Sequence, residues 1–440
     1  MPLVRILDEY PTGGRRKKIL AMAILASLIC SYEGAIAPVL PLLLKDMKMS
    51  LTTYGQIAAA ALILSTFAAG IGGWLSDKIG RVRLLVPMMA MTALLAFAMA
   101  LVTNVTEFAI MRCVLYIVET LAGVSTIALV RDFSPRMGRA QAFGFWTTGP
   151  VGANFLAAAI AGATLPLFHN AWQSQFIIIG CVSLVASIVI AFNIADLSPR
   201  LRAAVQHTEH KAVEGANTAP PTMRTLLGHG AVWAHCLGIS AWLVFFITLT
   251  AFGQTSLVHE FKKTPAEASQ IMACFWVLNI VTTVLIGRWS DAMQLRRIFS
   301  LAFTLIALAL GSYYVYLMGH ASDTPTLTLM ITGALTGGAM GGAYSTWMAM
   351  YSENTEDIDP RLQGAAWGLF NASTRILSVG VMIVAPMLVE SSGSWHGWFV
   401  FSMVCMLVYI VAGFFFKGPW TRAQIKNHID AAAPLDKATS

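Results

Sequence analysis

Twelve apolar runs of about 20 residues each dominate the chain. They lie near 19–44, 54–75, 84–103, 108–130, 140–163, 174–195, 229–256, 268–287, 298–319, 326–350, 362–389 and 394–416. A helix of roughly 20 residues rises about 30 Å, the thickness of the hydrocarbon core of a bilayer. Lipid offers no water to backbone N–H and C=O groups, so only helices or a closed barrel can cross it. A barrel would alternate apolar and polar residues at period two over segments of about ten, and that pattern is absent. The expected fold class is therefore an all-α polytopic membrane protein with twelve transmembrane helices. Composition agrees: 12% of residues are charged, where a soluble domain carries about 25%, and the mean hydropathy is +0.67.

A formal net charge of +7 would suit nucleic acid, but the charges do not form a groove-like patch. With the N-terminus taken as cytoplasmic, only Lys45, Lys48, Lys262 and Lys263 of the 29 Lys and Arg fall on the opposite face. Two more, Arg112 and Arg375, lie inside spans. The rest flank the cytoplasmic ends, the positive-inside bias that places both termini in the cytoplasm, most simply of a bacterial inner membrane. The opening "MPLVRILDEYPTGGRRKKIL" has basic residues before an apolar run, as a signal peptide does. That run is too long for an h-region and lacks a small-residue cleavage site, so it reads as a retained first helix. All six cysteines fall inside spans without metal-ligand spacing, so free thiols are expected.

The polar stretch 196–230 between runs six and seven divides the spans six and six. The expected organisation is an N-terminal six-helix bundle (1–195), a cytoplasmic linker (196–228), a C-terminal six-helix bundle (229–417) and a cytoplasmic tail (418–440). An internal repeat supports it. The segments beginning at Ser50 and Thr264, offset by 214, match at Gln56/Gln270, Ile57/Ile271, Gly73/Gly287, Ser76/Ser290 and Asp77/Asp291. "PRMGRAQAFGFW" from Pro135 is echoed by "PRLQGAAWGLFN" from Pro360. A duplicated six-span unit reads as a transporter built of two pseudo-symmetric halves.

The stretch "GGWLSDKIGRVRLL", 72–85, resembles the signature loop of the major facilitator superfamily, with Gly73, Leu75, Asp77, Lys78, Gly80 and Arg81 matching in type and spacing. The second copy keeps Gly287 and Asp291 but puts Gln294 and Leu295 at the Gly and Arg positions. The resemblance implies that Gly73, Asp77, Gly80, Arg81 and Asp291 serve a conformational latch that breaks as the halves rock. By its position at a helix end, Asp77 can pair with Arg81 and accept from backbone N–H groups of a neighbouring helix.

Four formally charged residues sit inside spans: Glu33, Arg112, Glu119 and Arg375. Such residues cost about 2.5–3.5 kcal/mol each at a helix centre and persist where they pair or face a wet cavity. Arg112 and Glu119 are seven apart and share a helix face, with Tyr116 and Gly123 on the same stripe. Arg stays charged, whereas Glu takes up a proton where its surroundings disfavour the anion. A fixed cation beside a switchable anion is a minimal device for coupling an anionic ligand to a proton. Protonation of Glu119 would free Arg112 for a substrate carboxylate, and Glu33 is the second expected proton site, with Pro38 and Pro41 able to bend span one beyond it. Arg375 in span eleven, with Asn371 one turn earlier, would meet the anion from the other half. Tyr32, Tyr116 and Tyr344 complete the expected substrate contacts. The alternative for each charge is a structural pair that staples its helix.

Within the superfamily the pattern is similar to the anion:cation symporter branch, on Tyr32-Glu33 and Arg112…Glu119, with Gly34 where that branch carries Arg. Aromatic-acid symporters are similar too. The Trp residues at 242, 276, 347 and 367 and the glycines of "GALTGGAMGGAY", 333–344, read as packing. No phosphate loop is present, so no ATP or other cofactor is expected and energy must come from a gradient. The function expected is proton-coupled symport of an organic anion by a monomer, with protons, a small carboxylate and the bilayer as partners and no enzymatic activity. The alternatives are a proton-driven drug exporter, whose span-five motif "GFWTTGPVGANF" matches poorly, and a membrane sensor.

Overall fold

The computed structural model describes residues 5–134, 139–202, 204, 223–359, 362–421 and 424, with side chains omitted at 139–144. The interior of the expected linker (205–222), the tail beyond 424, and Pro135 and Pro360 of the second echoed pair lie outside the described residues. The helices are α1 (Gly13–Glu33), α2 (Leu40–Asp46), α3 (Leu51–Ile79), α4 (Arg81–Met99), α5 (Val105–Phe133), α6 (Arg139–Thr164) and α7 (Trp172–Asn193). After the linker come α8 (Met223–Leu227), α9 (Gly230–Glu260), α10 (Pro265–Met293), α11 (Arg296–Met318), α12 (Thr326–Glu356), α13 (Gln363–Ser392) and α14 (His396–Gly413).

Among the described residues nine helices are long and apolar enough to cross a membrane: α3, α4, α5, α7, α9, α10, α11, α13 and α14. Of the three other expected spans, α1 has 21 residues, α6 has 26 and α12 has 31. Basic residues 15–18 and Glu33 load α1 with charge, while Thr, Gly and Ala dilute α6 and α12. The outward faces carry large apolar side chains: on α3, Phe67 is 70%, Ile71 60% and Trp74 60% exposed. Such a stripe is what lipid covers and water does not.

Helix starts are set by side chains placed for the purpose. Ser50 Oγ accepts from Thr53 N (3.0 Å) at the head of α3, and Asn104 Oδ1 from Glu107 N (2.9 Å) at the head of α5. Before α10, Thr264 and Glu267 exchange side-chain-to-backbone bonds as a capping box.

Two departures from the expected helical layout matter. Span one is not continuous: α1 ends at Glu33, residues 34–39 form turns, and α2 begins at Leu40 with Pro41 in its first turn. Pro38 has no N–H to donate and disfavours helix at the residue before it, but the break comes earlier, at Gly34. The chain also contains a parallel strand pair, β1 (Arg5–Leu7) with β2 (Ala195–Leu197). Leu7 and Leu197 turn inward onto a core of Val82, Leu85, Val130 and Phe133, while Ile6 points out.

The chain divides into two compact units. The first holds Met1–Thr218 with Thr250–Ala273 and Val379–Gly393, and the second holds Ala219–Leu249, Cys274–Ser378 and Ser394–Ser440. In the first, α1 packs on α5, α6 and α7, and α5 also on α3 and α4. In the second, α11 packs on α12 and α14, and the glycines of α12 let it approach α10. A Cβ at Gly337 would strike the Phe275 carbonyl, and Asn279 Nδ2 donates to Gly337 O (2.9 Å).

Candidate functional site

The break after α1 leaves the last carbonyls of that helix without intrahelical partners, at the negative end of its dipole. Arg112 of α5 is 3% exposed and meets them there: Nη1 donates to Gly34 O at 2.9 Å. Its guanidinium carbon lies 4.3 Å from the centroid of the Tyr116 ring, a cation–π contact one turn along the same helix. Nε of Arg112 is buried with no hydrogen-bond partner among the described residues. Gly34 also faces Glu119, half-buried on α5: a Cβ at Gly34 would land on the Glu119 carboxylate. Gly34 thus lies close to both groups: its carbonyl accepts from the guanidinium, and its Cα side faces the carboxylate.

Glu33 is fully buried and accepts from the Thr92 hydroxyl of α4. The Ser183 hydroxyl of α7, also buried, and the Glu119 carboxylate are both close enough to act on its charge. Cys30, one turn earlier on α1, lies within reach of both carboxylates. The two acids therefore share one electrostatic environment in the first unit. Tyr32 is buried at 1% exposure in the same unit.

Arg375, Asn371 and Tyr344 lie in the second unit. Arg375 is half-buried on α13, and Asn371 is exposed and donates to Trp367 O (2.9 Å) in its own helix. Tyr344 stacks between Trp242 and Trp347, with ring centroids 6.0 and 5.7 Å away.

At the α3–α4 junction Arg81, with no exposed surface, pairs with Asp77 and places Nε 3.2 Å from Asp132 Oδ2 of α5. Arg202 joins Asp132 (3.7 Å) to Asp196 (2.6 Å). Among the described residues, the carboxylate that accepts from the N-terminus of α4 is Asp196, which takes Val82 N at 3.2 Å. Asp77 is instead 68% exposed and turned to Arg81. Gly73 has open space around it. Gly80 has φ +110°, and a Cβ there would lie 2.9 Å from Asp196 Oδ2. Gly80→Ala is accordingly expected to cost about 1–3 kcal/mol and to lower the melting temperature in detergent; an unchanged melt would contradict this geometry.

The second copy of the motif preserves the pairing with different residues. Asp291 pairs with Arg296, one place beyond the position of Arg81, and Arg296 Nε reaches Glu353 of α12 (3.0 Å). Gln294, at the Gly80 position, adopts φ +55° and donates its amide to Asp291 O (2.7 Å). The sequence comparison by position reads this copy as decayed; the contacts do not.

Several site residues carried weak signals or none. Thr92 and Ser183 are uncharged hydroxyls in apolar runs. Asp132 and Glu353 sit at span ends, where charge reads as flank.

A known family model, Major Facilitator Superfamily, matches residues 20–257 and 234–438. The chain belongs to the major facilitator superfamily. Members are membrane transporters and not enzymes, and the multi-pass fold described above is that of the superfamily. The chain is 22% identical over 384 residues to a gallate transporter of Pseudomonas putida, covering 82% of this chain and 84% of that one. It is 21% identical over 401 residues to the quinolone resistance protein NorA of Staphylococcus aureus (strain MSSA476), covering 85% and 96%. Among solved structures, a D-xylose-proton symporter superposes with a TM-score of 0.66 at 16% identity, covering 91% of this chain and 97% of that one.

Proposed function

We propose that this superfamily member is a proton-coupled symporter of organic anions, carboxylates above all, working by alternating access as a monomer in a bacterial inner membrane with both termini cytoplasmic. The observation that carries the reading is that Arg112 and Glu119, on one face of α5, both come close to Gly34. An ionised Glu119 competes with a substrate carboxylate for the same positive field. Its protonation removes that competitor, so proton and anion bind together. Glu33, fully buried and accepting from the Thr92 hydroxyl, is the reserve proton site. Arg375, Tyr116, Tyr344, Asn371 and Tyr32 are the proposed further substrate contacts, Arg375 supplying the second positive charge. The α3–α4 latch and its copy at Asp291 are assigned to holding one conformation. Similarity to a gallate transporter supports a carboxylate, since gallate is one.

The second reading is proton-driven drug efflux, favoured by the similarity to NorA. Ligand-induced thermal stabilisation of the purified protein separates the two. Benzoate, gallate, succinate and tetraphenylphosphonium would be compared at acidic and alkaline pH. Carboxylates are expected to stabilise the protein, more so at acidic pH, and Glu119→Gln to remove the pH dependence. Stabilisation by the cation alone would favour efflux.

A further inference from the structure

The helix α4 begins without a cap of its own. Gly80 is its N-cap residue and has no side chain to accept from the first-turn N–H groups. Asp196 of β2 accepts there from across the fold. Its Oδ2 takes Val82 N at 3.2 Å, while Oδ1 takes Leu197 N at 2.9 Å and Arg202 Nη2 at 2.6 Å. One buried carboxylate therefore ties together the head of α4, its own strand and the arginine that lies 3.7 Å from Asp132. Those bonds depend on burial, because a hydrated carboxylate exchanges such donors for water.

The three residues of β2 have no ladder without a partner, and even a pair of strands is marginal in water. The partner is β1, where Arg5, Ile6 and Leu7 pair in parallel register with Ala195, Asp196 and Leu197. Just past the pair, Leu7 O accepts from Ser198 N at 2.9 Å. All of β2 is buried, whereas β1 exposes Arg5 and Ile6 and buries Leu7. The outer strand is thus β1, and it shields the one that carries Asp196. Two apolar anchors hold it. Leu7 sits in the core with Val82, Leu197 and Phe133, and Tyr10 stacks on Phe133 with centroids 6.5 Å apart at 28°. Val82 is the residue whose N–H Asp196 accepts, and Phe133 follows Asp132 in the chain.

We propose that residues 5–10 are a strap that seats Asp196 on the head of α4, with Leu7 and Tyr10 as its positioning residues. The segment before α1 thereby sets how firmly the cluster of Asp77, Arg81, Asp132 and Arg202 is held. The proposal rests on the assignment of that cluster to holding one conformation. A short strand pair with two side-chain anchors is a small interface, so the strap opens before the packed helices beneath it do.

Hydrogen exchange at the Val82 amide reads the seating directly, since Asp196 is its acceptor. Leu7→Asp is expected to speed that exchange about tenfold or more, the consequence of losing a bond to a buried carboxylate. Removal of residues 2–10 is expected to do the same, Leu7→Ala to act in the same direction by less, and Leu7→Met to leave exchange slow. The Glu107 amide, capped by Asn104 at the head of α5, is expected to exchange as before in all of them. Asp196→Ala is expected to speed Val82 on its own, and adding Leu7→Asp to it to change nothing further, because the strap acts through Asp196. Unchanged exchange at Val82 without the strap, equal acceleration at Glu107, or further acceleration in the double variant overturns the proposal. Amide exchange needs no substrate. If it behaves as expected while transport by Leu7→Asp matches that of the unaltered protein, the strap stands and the conformational assignment of the cluster fails.

Discussion

Arg112→Ala is expected to lower carboxylate-driven uptake by about a hundredfold or more, equivalent to about 3 kcal/mol, while the purified variant remains folded. The guanidinium is buried, hydrogen-bonded to Gly34 O and seated on Tyr116. Alanine removes the positive field and the donor to Gly34 O. Arg112→Lys is expected to recover only a small part. An ammonium can donate to Gly34 O, but it has no planar fork to hold a carboxylate while doing so. Uptake of labelled benzoate or gallate into proteoliposomes, alongside the melting temperature, checks both variants. Uptake within about twofold of the unaltered protein would make Arg112 a structural staple.

Glu119→Gln is expected to separate binding from coupling. The amide keeps the volume beside Gly34 and cannot ionise, so Arg112 stays available to an anion at every pH. Binding then loses its pH dependence. Exchange of labelled for unlabelled carboxylate continues, and uphill accumulation driven by a pH gradient falls to background. Glu33→Gln, which keeps its place beside Thr92, is expected to weaken coupling less. Loss of both exchange and accumulation in Glu119→Gln would instead assign Glu119 to substrate binding.

Much of the architecture was legible because its causes are local. Apolar runs long enough for a bilayer mark the helices. The charged residues inside the spans stand out for a related reason: a Glu or Arg in lipid is costly enough to need a purpose. What the sequence concealed depends on non-local geometry. The break at Gly34 precedes the proline that would ordinarily mark it, at the residue whose carbonyl accepts from Arg112. The partnership of Asp196 with Val82 N joins residues 114 apart in the chain. Arg296 replaces the lost arginine of the second motif from one place away, because an i+5 side chain still reaches Asp291 across a turn opened by Gln294 at positive φ. The strand pair β1–β2 was hidden because three residues at each end of a bundle carry too little pattern to read.

Proton movement in proteoliposomes carrying an internal pH dye tests symport most directly. Carboxylates and lipophilic cations are added outside in turn, and the internal pH is followed. Symport predicts that a carboxylate acidifies the interior as it enters, that the signal vanishes in Arg112→Ala, and that Glu119→Gln binds without producing it. Proton movement driven only by cations, and outward as they enter, would contradict symport and assign the protein to efflux.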